Sequence, residues 1–176
     1  MSSQPEVIAT GRFLRLVKRG HWEFAERVNA SAVVAIVAVT ADRRVILVEQ
    51  YRIPTDRREV ELPAGLVGDI AGEENEDLLV AGRRELLEET GYDAAQLERL
   101  AVCSTTAGLT SEEITFLLAT GLRRVGTGGG DEHEDITVHE VPIGELDAFL
   151  RARVADGVKV ASTLYTGLYL ARHALE

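Results

Sequence analysis

Arg84-Glu85-Leu86-Leu87-Glu88-Glu89-Thr90-Gly91-Tyr92 places three carboxylates and an arginine within about two helical turns, with a glycine directly after them. At about 100° per residue, Glu85, Glu88 and Glu89 share one stripe, because positions three and four apart are neighbours on a helix. Like charges at that spacing repel by a few tenths of a kcal/mol per pair. A bound cation is the natural compensation, and oxygen-only donors suit Mg²⁺ or Mn²⁺. A solvated acidic helix face is the other reading of the same residues. Leu79, Val80, Leu86 and Leu87 gather on a different side that can face a core, while Ala81 and Gly82 leave room beside the acidic stripe.

The upstream context decides between these readings. Glu61-Leu62-Pro63-Ala64-Gly65 precedes Glu76, and seven residues separate Glu76 from Arg84-Glu85. From Glu76 to Tyr92 the chain resembles the Nudix box, G-x5-E-x7-R-E-U-x-E-E-x-G-U, with Tyr92 standing for the last apolar U. The first half departs from that pattern, since ten residues lie between Gly65 and Glu76. Residues 68–75 read as a lengthened loop ahead of the helix, and Glu73, Glu74 and Glu76 are all candidates for the first box glutamate. The resemblance implies metal-dependent attack of water on a nucleoside diphosphate joined to another group. It implies Glu85 and Glu89 as principal metal ligands, Glu88 as an assisting one and the backbone carbonyl of Ala64 as a further ligand. Arg84 is expected to pair with an upstream glutamate, Glu76 foremost, and to hold the loop against the helix.

A second stretch, Gly128-Gly129-Gly130-Asp131-Glu132-His133-Glu134-Asp135-Ile136, sets carboxylates on a glycine-hinged segment that can move over substrate. It resembles the loop of bacterial ADP-ribose pyrophosphatases, which makes Glu132 the general-base candidate and Glu134 an additional metal ligand. Glu49-Gln50-Tyr51-Arg52 ahead of the proline-glycine segment looks like the branch acting on ADP-ribose and nucleoside-diphosphate sugars. Arg52, at a strand end, suits a phosphate through its bidentate guanidinium, or is an ordinary surface arginine. Ala107-Gly108-Leu109-Thr110-Ser111-Glu112 is similar to another segment of that branch, with Ala107 in place of its proline. Glu112 is then a substrate-contacting or supporting acid, or a surface residue. His21-Trp22-Glu23-Phe24-Ala25-Glu26-Arg27 resembles the base-contacting strand of human-type ADP-sugar hydrolases. By that resemblance Trp22 stacks on a nucleobase and Arg27 contacts the base beside it; otherwise Trp22 packs at a strand edge.

These residues need elements to hold them. A chain of 176 residues that is 45% hydrophobic can bury a substantial core. Its formal charge of −10 argues against a nucleic-acid backbone or an anionic membrane as partner. A lone cysteine, Cys103, excludes an internal disulfide framework and reads as a buried strand residue. No signal peptide or membrane-spanning apolar run is apparent, so the expected location is cytoplasmic.

Along the chain, residues 6–28 read as two strands with a turn at Lys18-Arg19-Gly20, and 31–39 as a strand covered on both faces. Strands are expected at 45–51, 59–62, 97–106, 113–120 and 136–141, with helices at about 76–90, 143–152 and 161–173. Thr127-Gly128-Gly129-Gly130 reads as flexible. The expected fold is α+β, a mixed sheet sandwiched between helices with N-terminal antiparallel strands. Residues 1–30 are assigned to dimerisation and base contacts and 31–176 to the hydrolase domain. The chain is thus read as a Mg²⁺-dependent pyrophosphatase of nucleoside-diphosphate sugars, with ADP-ribose first and Mn²⁺ as a substitute metal, acting as a homodimer. A GDP-mannose-type or broad sugar-nucleotide hydrolase and a non-catalytic nucleotide sensor are the alternatives.

Overall fold

The computed structural model describes residues 4–72, 74–130 and 135–176. Three strands, not two, fill the N-terminal region: β1 (Glu6–Thr10), β2 (Leu14–Arg19) and β3 (Trp22–Arg27) form an antiparallel sheet. The extra reversal lies at Gly11, whose N–H donates to the Leu14 carbonyl at 2.7 Å. Apolar and charged residues are interspersed along this stretch, so its pattern carried no clear period to reveal the break. The sheet leans on the rest of the chain through β3. Ala25 N–H donates to Leu109 O at 2.8 Å, and Ser111 N–H and the Thr110 hydroxyl donate back to Ala25 O.

The main sheet is built on β4 (Ala32–Val39), β5 (Arg44–Arg52), β6 (Arg57–Glu61), β7 (Ala64–Val67), β8 (Tyr92–Ser104), β9 (Glu113–Arg124), β10 (Thr137–Pro142) and β11 (Lys159–Val160). It is mixed: β4 pairs parallel with β9, β11 pairs parallel with β6, and the other pairings are antiparallel. The helices are α1 (Leu78–Thr90), α2 (Leu146–Ala155), α3 (Ser162–Leu170) and the short α4 (Arg172–Leu175). The expected final helix over 161–173 is broken at Ala171. Alternate residues of β4 feed the two cores, as a strand covered on both faces requires. Val37 and Val39 face the α2 and α3 side, whereas Val34, Ile36 and Ala38 face α1. The architecture is therefore the expected α+β sandwich.

One irregularity opens the sheet where chemistry takes place. β4 pairs with β5 only through Ala38–Ile46 and Val39–Val45, and its other end, Ala32–Ala35, pairs with β7. The chain crosses from β5 to β4 at Leu62-Pro63, between β6 and β7. Proline has no N–H to add to a ladder and suits such a corner. Its carbonyl still accepts from Ile36 N–H at 2.8 Å.

α1 begins at Asp77, whose carboxylate accepts from Leu79 and Val80 N–H. It ends at Gly91, which holds the left-handed conformation (φ 74°) that glycine adopts without steric cost. The face directed at the core differs from the expected one. Leu86 is buried, but Leu79, Val80 and Leu87 are exposed, and Ala81 and Gly82 take the sheet-facing positions. Small residues there let the helix stand close to β4 and β9: a Cβ on Gly82 would meet Leu117 Cδ1 at 2.5 Å. Among the described residues no helix is long and apolar enough to cross a membrane.

Gly82→Val therefore overpacks this contact. Helix propensity favours the added side chain by a few tenths of a kcal/mol, but overpacking a buried site costs about 1–3 kcal/mol. Urea unfolding of the variant should show a net loss of stability of roughly that size; unchanged stability would contradict the close approach of α1.

Candidate functional site

Arg84 organises the site. Its Nε and Nη2 donate to the two carboxylate oxygens of Glu76, each at 3.2 Å, and Nη2 also donates to Leu66 O at 3.1 Å. Its Nη1 donates to Glu85 at 2.8 Å and to Glu88 at 3.2 Å. Glu76 is thus the glutamate on Arg84, whereas Glu74 accepts from the Gly72 N–H and Glu73 lies outside the described residues. The lengthened loop adds a carboxylate that the spacing did not single out, since Asp69 approaches Arg84 to 3.8 Å. Its acidity within an insertion next to the box was the available signal.

Glu85 lies under β7. A Cβ on Gly65 would fall inside the Glu85 carboxylate, so glycine is needed for the strand to pass over this side chain. Burial pushes the Glu85 carboxyl up to about 7; Arg84 pulls the other way, and Glu88 and Asp69 add repulsion. Glu89 is buried and accepts the Ala64 N–H at 3.0 Å, which ties the helix to the first residue of β7. Glu88 and Glu89 stand in the last turn of α1, at the negative end of the helix dipole, where cations are favoured.

The donor set is made of carboxylates, and burial disfavours the charged form of Glu85, which a neighbouring cation would restore. Both properties fit a hard divalent cation. Among the described residues no three His, Cys, Asp or Glu side chains already converge as a metal cage. Glu85 and Glu88 turn to Arg84, and Glu89 turns to the Ala64 N–H.

A cavity of about 580 Å³ brings Arg27, Arg52, Ala64, Arg84, Glu85 and Glu88 together, with Gly65 and Asp69 also on its wall. Arg52 donates to Glu61 in bidentate fashion, at 2.6 and 2.8 Å, so Glu61 orients the guanidinium. An adjoining cavity of about 490 Å³ shares Arg27 and Val33 with the first and contains Glu112. Arg27 and Glu112 form an ion pair across the chain, a consequence of the β3 contact with residues 109–111. Trp22 lies elsewhere. It is exposed at the far end of β3, about 16 Å along the strand from Arg27, with its ring near Gly108. Glu132 and Glu134 lie outside the described residues.

The glycine stretch before them is not the free linker expected. Gly129 N–H donates to Glu89 O at 2.8 Å and Gly130 N–H to Glu88 O at 3.1 Å, capping the end of α1. Gly128 has φ 68°, and a Cβ there would lie 2.7 Å from Glu89 O. These glycines serve close docking on the acidic helix. Composition alone could not distinguish that use from flexibility.

A further buried charge has no signature in the sequence. Glu49, on β5, accepts from Arg58 Nε at 2.9 Å and from Arg153 Nε at 3.1 Å, and its Oε2 lies 3.1 Å from His139 Nε2. Burial alone would push its carboxyl up, but these three partners outweigh burial and hold it below the ordinary range.

Residues 29–160 match the NUDIX domain model. The chain is 33% identical over 171 residues to the methanol dehydrogenase activator of Bacillus methanolicus, covering 93% of this chain and 90% of that protein. It is 37% identical over 141 residues to the ADP-ribose pyrophosphatase of Mycobacterium tuberculosis, covering 79% of this chain and 66% of the relative. Similarity to the GDP-mannose pyrophosphatase of Salmonella arizonae is 33% over 127 residues, covering 67% and 63% of the two chains. A crystal structure of an ADP compounds hydrolase superposes with a TM-score of 0.71, covering 99% of this chain and 93% of that one at 23% identity, and shares the fold.

Gly65→Ala tests the packing of β7 on Glu85. The methyl group displaces a side-chain end rather than backbone, so folding should persist while the carboxylate shifts. A displacement of about 1 Å at a reacting centre can cost roughly 10²-fold in rate. Turnover of the best substrate should fall on that scale with the melting temperature little changed; full turnover would contradict the contact.

Proposed function

The chain belongs to the NUDIX domain family and is a Nudix hydrolase, and from that premise we propose that it cleaves the pyrophosphate bond of a nucleoside-diphosphate sugar. ADP-ribose is the leading substrate and Mg²⁺ the working metal, with a nucleoside monophosphate and a sugar phosphate as products. The observation that carries this reading is the cavity joining Arg27 and Arg52 to Glu85, Glu88 and Ala64. Guanidinium groups suit phosphate oxygens, and carboxylates beside them suit the cation that a polyphosphate brings.

In this reading Arg52 and Arg27 bind the phosphates. Glu85, Glu88 and Glu89, with the Ala64 carbonyl and Glu134, hold the metal. When bound, a divalent cation neutralises phosphate charge and orients the reacting oxygens. Glu132 accepts the proton of the attacking water as its oxygen bonds to phosphorus, and the anhydride oxygen leaves with the other phosphate. Glu112, in the adjoining cavity, contributes to recognition of the nucleoside and sugar, and Trp22, apart from this cavity, does so only by reaching the site of the other protomer of the homodimer. Val7, Ile8, Phe13, Leu14 and Leu16 of the N-terminal region are exposed, which supports a homodimer through the N-terminal strands.

A second reading is favoured by the similarity to the methanol dehydrogenase activator, which extends over nearly the whole chain. In it, the nucleotide chemistry serves to activate a dehydrogenase partner.

A panel of ADP-ribose, GDP-mannose and other nucleoside-diphosphate sugars, assayed with Mg²⁺ or Mn²⁺ by phosphate release after coupled phosphatase treatment, tests the proposal. ADP-ribose should give the highest kcat/KM; nucleotide binding with no turnover on any substrate would leave a sensor instead. Glu89→Gln should abolish turnover while circular dichroism and melting temperature persist, and near-normal rates would refute its role as a ligand. Glu132→Gln should lower kcat far more than it weakens metal binding.

A further inference from the structure

The cavity adjoining that of Glu85 and Arg52 carries polar side chains that the fold itself does not use. Thr115, on β9, is only 4% exposed and lies on its wall, and its hydroxyl bonds to no other group among the described residues. Buried hydroxyls are normally satisfied by the protein around them, so one this deep with no protein partner points to something that enters the cavity. Two exposed charges share the wall: Glu113, two residues before Thr115 on the same face of β9, and Arg99 on the neighbouring strand β8. Neither side chain has a hydrogen bond or ion pair among the described residues. On the same wall Arg15 is paired with Glu26 and Arg27 with Glu112.

This wall is continuous with the site. Arg27 and Val33 border both cavities, and the ion pair of Arg27 with Glu112 lies at their junction. α1 runs past both as well: Leu78, at its start, lines one, and Glu85, about 10 Å further along the axis, lines the other. A molecule whose phosphates lie between Arg27 and Arg52 therefore extends its remaining half into the second cavity, whose volume of about 490 Å³ is in the range of ligand pockets. The unpaired groups say which half. Arg99 donates, Glu113 accepts and Thr115 does either, a set that several hydroxyls satisfy together because each can both donate and accept. A further phosphate would meet Arg99 but be repelled by Glu26, Glu112 and Glu113. A nucleobase gains most from aromatic faces, and among the described residues no aromatic side chain lines this cavity.

We propose that this second cavity holds the sugar of the substrate and that Thr115, Arg99 and Glu113 determine which sugar is accepted. The inference rests on the reading of the chain as a pyrophosphatase of nucleoside-diphosphate sugars. A sugar hydroxyl completes the bonding of Thr115, and Arg99 and Glu113 fix the orientation of the others. The three residues line the second cavity and not the one that holds Glu85 and Glu88, so they act on binding of the sugar and leave the reacting phosphorus to the first.

The test measures kcat and KM of the wild type, Thr115→Val, Thr115→Ser, Arg99→Gln and Glu113→Gln on ADP-ribose, ADP-glucose, ADP-mannose and GDP-mannose with Mg²⁺. Melting temperature and competitive inhibition by ADP are followed alongside. Thr115→Val keeps the shape of the side chain and removes only its hydroxyl. It should leave the melting temperature unchanged or raised while lowering kcat/KM for the preferred sugar by about 10-fold, chiefly through KM. Thr115→Ser, which keeps the hydroxyl, should lose less. In Thr115→Val, Arg99→Gln and Glu113→Gln the preference among the three ADP-sugars should narrow, while the ratio of ADP-mannose to GDP-mannose stays within about 2-fold. Inhibition by ADP, which carries the base and phosphates without the sugar, should stay as in the wild type. Arg99→Gln and Glu113→Gln, at exposed positions, carry the test if Thr115→Val does not fold. The inference alone is overturned if the wild type hydrolyses these sugars and the variants keep its sugar preference. It is likewise overturned if base preference or ADP inhibition shifts instead, which would make the cavity a base or phosphate compartment. Failure of the wild type to hydrolyse any of the four, with Mg²⁺ or Mn²⁺, overturns the proposed function and this inference with it.

Discussion

The guanidinium of Arg84 is the contact on which the site depends. Among the described residues, four carboxylates, from Asp69, Glu76, Glu85 and Glu88, lie within reach of it, and it donates to a β7 carbonyl as well. Without a fixed cation these groups would repel one another. Burial raises the cost, because removing one partner of a buried ion pair leaves the other uncompensated. Arg84 therefore joins three segments that local preference would not unite: the lengthened loop through Asp69 and Glu76, the strand β7, and the acidic face of α1. Burial still pushes Glu85 up to about 7 despite this neighbour. A cation beside it would favour the charged form that burial disfavours.

Around this contact, steric economy does the positioning. The sheet splits where β4 exchanges β5 for β7, and Pro63 turns the corner between them. Gly65 lets β7 pass over Glu85, Gly82 lets α1 approach Leu117, and Gly128 lets the following chain dock on the last turn of that helix. A single methyl group would displace the Glu85 carboxylate at Gly65, overpack Leu117 at Gly82 and strike the backbone at the end of α1 at Gly128. The Ala64 N–H on Glu89 and the Gly130 N–H on Glu88 O complete the frame with backbone donors. Their placement is set by the main chain and is independent of side-chain rotamers.

A second cluster of buried charge lies across the sheet, at Glu49. Sequence periodicity identified its strand, yet a glutamate near a strand end gives no sign of burial. Its partners come from β6, β10 and α2, up to 104 residues away. The N-terminal region was similarly only half legible. Strands were expected there, but the reversal at Gly11 was not, since the mixed apolar and charged residues of 6–19 did not show where one strand ended. On α1 the leucines and valine that ordinarily mark a core face do not do so, since Leu79, Val80 and Leu87 are exposed. The small Ala81 and Gly82 occupy the sheet-facing positions instead, as close packing of a helix on a sheet demands.

The sequence by itself determined what depends on short-range spacing. This includes the acidic stripe of α1, its stop at Gly91, the doubly covered strand β4, the α+β class and the family. All of these follow from periodicities and motifs that repeat over a few residues. Tertiary structure decided what depends on distant charges finding one another. It placed Glu76 on Arg84, Glu61 on Arg52, Glu112 on Arg27 and Arg58 on Asp135, and it left Trp22 apart from the cavity. The reason is physical: an ion pair is chosen by distance and burial in the folded chain, and separation along the sequence carries no record of either.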